Sequence, residues 1–303
     1  MTQLQRKGKT GGKVATVLVE KASVSGESAR RGAPRSFFAM CGIAGYSLSP
    51  ESGIDRKLAV QVLLAAIAER GADAVGYAWR GHEPEVTIHK QRTGATALLE
   101  QVEVPDMARD VLVHVRDYTK GHPTIAANNH PVRHGAVVGI HNGIIVNDEE
   151  IFDELGFERA TPEMTVDSEA IFALVESEPG RTSILDRLHG SMAAAWMDER
   201  RPDALFLARG VGRPLWVGRG PREVFFASTR TALELLERYL RTSLLKRELD
   251  EGRLAVLVSG RIASTERFNP DRSFREERQL PAVRAPHEGA SCLQRLAALI
   301  PAG

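Results

Sequence analysis

Cys41 follows Met40 and precedes Gly42. Removing everything before it leaves a residue that carries both a thiol and a free α-amine. Such an amine titrates at roughly 7.7–8.0 and a thiol near about 8.5, so the amine is a matched base near neutral pH. It can take the thiol proton and later return it to a leaving amine. A peptide nitrogen cannot, because its lone pair is delocalised. Nucleophilic chemistry at Cys41 therefore requires the preceding residues to be absent or removed. The plain alternative is a small core cysteine, the commonest role of that residue type. The other cysteine is Cys292. Two cysteines are too few for a disulfide framework, and no Cys-x-x-Cys pair suggests zinc. His130 and His134 have a zinc-like spacing, but no cysteine or carboxylate set completes it, so no metal is expected. His114, His122 and His141 read as structural on the same grounds. Glycines between 210 and 220 are not followed by Gly-Lys-Ser/Thr and form no phosphate loop. Asn142-Gly143, taken alone, is a tight-turn pair.

These residues need a folded frame. The chain has 303 residues, 43% hydrophobic and 26% charged, the balance of an ordinary globular protein. Its net charge of +1 gives no pointer to nucleic acid or a membrane surface. No stretch approaches the roughly 20 apolar residues of a membrane helix. The N-terminus lacks an apolar signal core. With so few cysteines, a reducing, cytoplasmic compartment is expected.

Residues 1–39 are basic and rich in glycine, serine and threonine, which predicts a disordered leader. The alternative is that translation starts at Met40. From Cys41 the pattern is dense. Strands are predicted over 41–48, 76–80, 85–90, 111–116, 136–140, 191–197, 204–209, 215–218 and 224–227. Helices are predicted over 56–70, 148–155, 167–176, 184–188 and 231–239. A hairpin over 254–258 and 261–264 turns at Ser259-Gly260. Strand runs mixed with helices, without β-α alternation, indicate α+β with mostly antiparallel sheets. Residues 266–287 read as a linker, and 291–300 as a short amphipathic helix that packs locally or docks on a partner.

Several segments together resemble one family. Met40-Cys41-Gly42-Ile43-Ala44-Gly45-Tyr46 resembles the opening of the class II glutamine amidotransferases, which are N-terminal-nucleophile hydrolases. Arg70-Gly71-Ala72-Asp73-Ala74-Val75-Gly76 resembles the family's Arg-Gly-x-Asp-x-x-Gly stretch. His114-Val115-Arg116 with Thr119 and Gly121 resembles its glutamine-binding loop. Asn129-His130-Pro131 resembles an Asn-x-His-Pro element with the intervening residue missing or shifted. His141-Asn142-Gly143-Ile144-Ile145, with Asn147 and Glu149-Glu150, resembles the glucosamine-6-phosphate synthase branch. Asp167-Ser168-Glu169 falls where that branch starts a helix after its substrate-binding aspartate. The likeness covers roughly residues 40–265. It implies a four-layer αββα sandwich, with a glutaminase domain over 40–265 and a tail over 266–303.

The resemblance also implies roles. Cys41 is the nucleophile. Asn142 and Gly143 form an oxyanion hole rather than a turn. Arg116 clamps the α-carboxylate of glutamine, as a guanidinium fork suits, unless it makes a structural ion pair. Thr119 adds a hydroxyl to that carboxylate or is a turn residue. Asp167 pairs with the α-ammonium or caps a helix. Arg70 and His141 support the site. No organic cofactor is implied. Two positions depart from the pattern. Asp117 stands where relatives carry an aromatic residue, and Lys120 where this branch carries histidine. Both are expected to retune substrate choice or ammonia channelling.

The implied activity is hydrolysis of glutamine to glutamate and ammonia, with the ammonia passed to an acceptor on a separate synthase chain. Two alternatives stand beside it. One is a hydrolase of another γ-glutamyl or small amide, the other a non-catalytic interaction module on the same fold.

Overall fold

The computed structural model describes residues 41–276 and 283–299, so the expected leader over 1–39 lies outside the described residues. Among the described residues, thirteen strands form two sheets. The seven-stranded sheet runs β11 (Leu245–Glu248), β9 (Trp216–Arg219), β10 (Glu223–Ala227), β1 (Gly42–Leu48), β4 (Asp110–Arg116), β2 (Ala74–Arg80), β3 (Thr87–Gln91). The six-stranded sheet runs β13 (Arg261–Arg267), β12 (Arg253–Val258), β8 (Ala204–Arg209), β7 (Gly190–Asp198), β6 (Val137–Ile145), β5 (Val132–His134). Neighbouring strands pair antiparallel throughout.

Alternation along each strand explains the layers. In β4, Val111, Val113 and Val115 join an outer core with Tyr46 and Leu48 of β1. Helices α1 (Arg56–Ile67), α2 (Ala95–Leu98), α5 (Arg230–Leu240) and α6 (Pro286–Leu299) cover that core. Leu112 points the other way and packs with Ile43, Val138, Ile140, Ala193 and Phe226 between the sheets. Helices α3 (Asp148–Leu155) and α4 (Glu169–Ser177) cover the far face of the second sheet, where Ile151, Phe152, Ile171 and Phe172 are buried. The result is the αββα order, an α+β fold of two antiparallel sheets. The Asp55 carboxylate caps α1 by accepting from Leu58 N, which fixes where that helix begins.

Local pattern and structure part at several places. β6 does not stop at Ile140 but continues to Ile145, paired with β7 along its length. Asn142-Gly143 is therefore mid-strand and not a hairpin turn. Strands β5 and β11 and helix α2 carry no strong periodicity and escape the pattern. α6 begins at Pro286 and buries Cys292 and Leu296 in the outer core with α1 and α2.

Arg80 joins the two sheets at one end. It is fully buried, and Nη2 donates to Asp110 Oδ2 (2.7 Å) and the Ala204 carbonyl (2.6 Å). Nη1 donates to the carbonyls of Asp198 and Arg201 (both 3.2 Å). Breaking a buried pair leaves an uncompensated charge and costs about 3–5 kcal/mol. Arg80→Met is therefore expected to lower unfolding stability by about that amount in urea titrations. A loss below about 1 kcal/mol would show that the staple is not structural.

Candidate active site

The opposite end of the sandwich holds the chemistry. In β4 the inward-facing register continues from Leu112 to His114 and Arg116, and in β6 from Val138 and Ile140 to Asn142. The strands thus deliver Arg116 and Asn142 to the same end as the start of β1, where Cys41 stands. One cleft is lined by Cys41, Arg116, Asp117, Tyr118, Thr119, Lys120, His130, His141, Gly143, Val166, Asp167 and Ser168. Seven of the eight residues singled out in the sequence are accounted for by this lining or by a direct bond to Cys41. The eighth, Asn142, lies buried on the intersheet face beside Gly143.

Cys41 is half-buried, and its thiol sulfur lies 3.5 Å from the Asp117 carbonyl. Desolvation pushes that thiol up to about 11, against the pull of the Asp117 contact and the Arg116 charge. Arg70 Nε donates to the Cys41 carbonyl at 3.0 Å. The Arg-Gly-x-Asp stretch explains its own spacing here. Arg70 holds the nucleophile. Gly71 packs against the Arg116–Asp117 backbone, where any Cβ would collide. Asp73 N donates to the Arg116 carbonyl (3.0 Å), and the Asp73 carboxylate accepts from Tyr118 N (2.9 Å). One short segment thus fixes both the nucleophile and the loop facing it.

Arg116 is buried and makes no carboxylate pair among the described residues. Its Nη1 donates to Asn129 Oδ1 (2.6 Å) and its Nη2 to the Lys120 carbonyl (2.8 Å) and the Gly121 carbonyl. The alternative of a structural ion pair therefore falls away. Asp167 is buried too. Its Oδ2 accepts from Ile145 N at 2.7 Å, and Oδ1 is 3.5 Å from Ser168 Oγ. Helix α4 starts at Glu169 with Ser168 as its N-cap residue, so the Asp167 carboxylate does not cap it. Desolvation pushes Asp167 up to about 6, with nearby Asp148 adding to the rise and Lys120 and Arg116 opposing it. Thr119 lies half-buried in the cleft wall.

Asn142 is completely buried, and neither its Oδ1 nor its Nδ2 has a hydrogen-bond partner. Orphaned buried amides are uncommon and costly, so an unmet pair of this kind points to a ligand-facing role. Gly143 has φ +148°, and a Cβ there would strike the Ser191 carbonyl. His141 Nδ1 is 2.9 Å from Ser168 Oγ and its Nε2 is 3.3 Å from the Ser191 carbonyl. It links the strand bearing Asn142 to the residue after Asp167. His114 stacks on His130 with ring centroids 4.2 Å apart. Burial pushes His114 and His141 down to about 3, and His130 well below the usual range. All three are neutral imidazoles at physiological pH. Among the described residues no three His, Cys, Asp or Glu side chains converge as a metal site would need.

The two departures from the family pattern are both engaged in ion pairs. Asp117 Oδ2 meets Arg284 Nε at 2.8 Å. Lys120 Nζ reaches Asp148 (2.8 Å) and Glu149 (2.9 Å) at the start of α3. Arg159 carries that network on to Glu169 (3.2 Å) in the first turn of α4. Sequence reading missed Asn129 as the partner of Arg116, although its motif was visible. It also missed Arg284, which no local signal could have placed beside Asp117.

Known proteins resemble this chain in sequence and in fold. A family model described as a glutamine amidotransferase domain matches residues 119–235. The glutamine–fructose-6-phosphate aminotransferase (isomerizing) of Shigella flexneri is 34% identical over 207 residues, covering 64% of this chain and 32% of that protein. Its Haemophilus influenzae counterpart is 32% identical over 206 residues with the same coverage. The chain thus spans about a third of the length of the curated relatives it matches. Among solved structures, glutamine phosphoribosylpyrophosphate amidotransferase from B. subtilis, complexed with ADP and GMP, superposes with a TM-score of 0.58 at 20% identity, over 75% of this chain and 49% of that one. A structure described as the allosteric regulatory enzyme of purine biosynthesis gives 0.60 at 22%, with the same coverage. These two likenesses speak for the fold. With the motifs in order and the two-sheet architecture observed, the chain resembles the class II glutamine amidotransferases: residues 119–235 match a glutamine amidotransferase domain, and 64% of the chain is similar to glutamine–fructose-6-phosphate aminotransferase.

Proposed function

We propose that residues 40–265 form a glutaminase domain that cleaves the side-chain amide of glutamine, with Cys41 as the first residue of the working chain. The observation that carries this reading is a thiol, a guanidinium and a carboxylate lining one cleft, at Cys41, Arg116 and Asp167. Opposite charges suit the two ends of an α-amino acid, and the thiol suits attack on its amide.

The Cys41 sulfur bonds to the amide carbon as its proton passes to the Cys41 amine. The oxyanion is held by the Asn142 side-chain amide and the Gly143 N–H. The amine then returns the proton to the departing nitrogen, the C–N bond breaks, and ammonia leaves a γ-glutamyl thioester. Water adds to that thioester, the C–S bond breaks, and glutamate is released. Arg116 and Thr119 hold the α-carboxylate and Asp167 the α-ammonium.

The acceptor for ammonia is proposed to sit on a separate chain. Helix α6 docks on α1 and α2 and so belongs to this domain. No helix among the described residues is long and apolar enough to cross a membrane. A cytoplasmic setting is proposed from the sparse cysteines.

Glutamate release from glutamine by a form starting at Cys41, with Cys41→Ala as blank, tests the reading. Absence of release from a correctly processed form would overturn it. Asn142→Ala is expected to lower kcat by about 10²–10³-fold with little change in KM, the signature of a donor that acts only on the developing charge.

A further inference from the structure

Lys90 lies in β3, the edge strand of the seven-stranded sheet, opposite Gly76 of β2. Its ammonium does not reach for solvent. Nζ donates to the carbonyls of Asn129 (2.8 Å) and Pro131 (3.2 Å), which flank the cis His130–Pro131 peptide. Among the described residues no carboxylate pairs with it. A largely buried ammonium held only by carbonyl dipoles is costly, since desolvation is not repaid by a counter-charge.

Asn129 is where this cation meets the substrate loop. Its carbonyl takes Lys90, its Oδ1 takes Arg116 Nη1 (2.6 Å), and its Nδ2 donates to the Pro123 carbonyl (2.8 Å). Two cations thus grip one residue from two sides. Burial lowers Lys90 to about 8, and the Arg116 charge adds to the fall. Like charges held this close repel. An anion arriving at Arg116 relieves that repulsion, so the second cation strengthens the attraction for a carboxylate.

We propose that Lys90 is a positioning residue for the carboxylate end of the substrate, fixing the Arg116 fork through Asn129 and adding a second positive charge behind it. The inference rests on the glutamine reading above and extends it to a residue outside the cleft wall.

The test compares wild type, Lys90→Met and Lys90→Arg, each starting at Cys41, on glutamine and on its α-amide, which lacks the carboxylate. Lys90→Met is expected to raise KM for glutamine by about tenfold with kcat changed by less than about twofold, and Lys90→Arg to restore most of the loss. On the α-amide the same substitution is expected to shift KM by less than about threefold, because no anion remains to be attracted. Equal KM increases on both substrates would mean a merely structural role and overturn the proposal. So would an unchanged KM for glutamine. Wild type failing on glutamine would instead strike at the functional reading. Calorimetry of glutamate binding to Cys41→Ala, with and without Lys90→Met, then decides separately: weaker binding in the double variant supports the proposal, and equal or absent binding ends it.

Discussion

A chain that keeps even one residue in front of Cys41 is expected to hydrolyse glutamine about 10²–10⁴-fold more slowly than one that begins there. The thiol, raised to about 11 by desolvation, leaves roughly one sulfur in ten thousand ionised at pH 7. Attack then depends on a base that removes the proton as the bond forms. The three histidines at the site are buried, and burial lowers all of them. His114 Nε2 is held by the His141 carbonyl and His141 by Ser168 and Ser191, while His130 stacks on His114 with neither ring nitrogen paired, leaving its burial-lowered basicity as the bar to a base role. The α-amine of Cys41 is the base that remains. Intact mass on two preparations, one starting at Cys41 and one retaining Met40, establishes the first residue, and initial rates of glutamate release give the ratio. Equal rates would remove the amine from the mechanism.

The second large effect joins stability to function. Asp167→Asn is expected to stabilise the folded protein at pH 7 while disabling it. The folded carboxyl titrates at about 6, against roughly 3.9 in an unfolded chain. Because the folded state holds its proton more tightly, the stabilising contribution is full below about pH 4 and is lost as pH rises through about 6, some 3 kcal/mol in all. Asparagine keeps an oxygen for Ile145 N and drops the buried charge. Urea titrations are therefore expected to show a gain of up to about 3 kcal/mol at pH 7 that disappears at pH 4. Glutamine loses the partner of its ammonium, which costs about 2–5 kcal/mol for a buried charge pair, or roughly 30-fold to several thousand-fold in kcat/KM. In wild type, kcat/KM is expected to fall below about pH 6 as Asp167 takes up its proton, with a weaker effect on kcat, because bound ammonium holds the carboxylate ionised. Lower stability of Asp167→Asn at pH 7 would contradict this account.

Much of the frame was legible because burial leaves a period. Ala204–Arg209 and Asp148–Leu155 end where pattern reading puts them, one alternating between two cores, the other closed by Gly156 in a left-handed cap. Cys41, Arg116, Thr119, His141, Gly143 and Asp167, which line one cleft, were legible through motifs that resemble a known family. What escaped did so for two reasons. The expected strand over 136–140 stops short of Asn142-Gly143, whose local preferences are those of a turn, and pairing with β7 across Gly190–Asp198 overrides them. β11 is an edge strand of sequence Leu-Lys-Arg-Glu, with one face in solvent and no apolar alternation. The remaining omissions are long-range. Glu276 pairs with Arg213, and Arg284 with Asp117, across tens to more than a hundred residues of chain. Charge pairs of that separation leave no periodicity to read.

The central position of β1 sets a clock. β1 is paired on one side with β4 and on the other with β10, and every residue from Ala44 to Ser47 has a partner on both flanks. β10 ends at Ala227, so about 180 residues must be synthesised after Cys41 before the strand can be closed in. At roughly 5–20 residues per second, translation takes about 10–40 s over that stretch. Until β10 emerges, β1 lacks one of its two neighbours, and its start is expected to stay accessible to an aminopeptidase or protease. Removal of whatever precedes Cys41 is thus expected to be easiest on the ribosome, before Cys41 becomes part of the wall of a folded cleft.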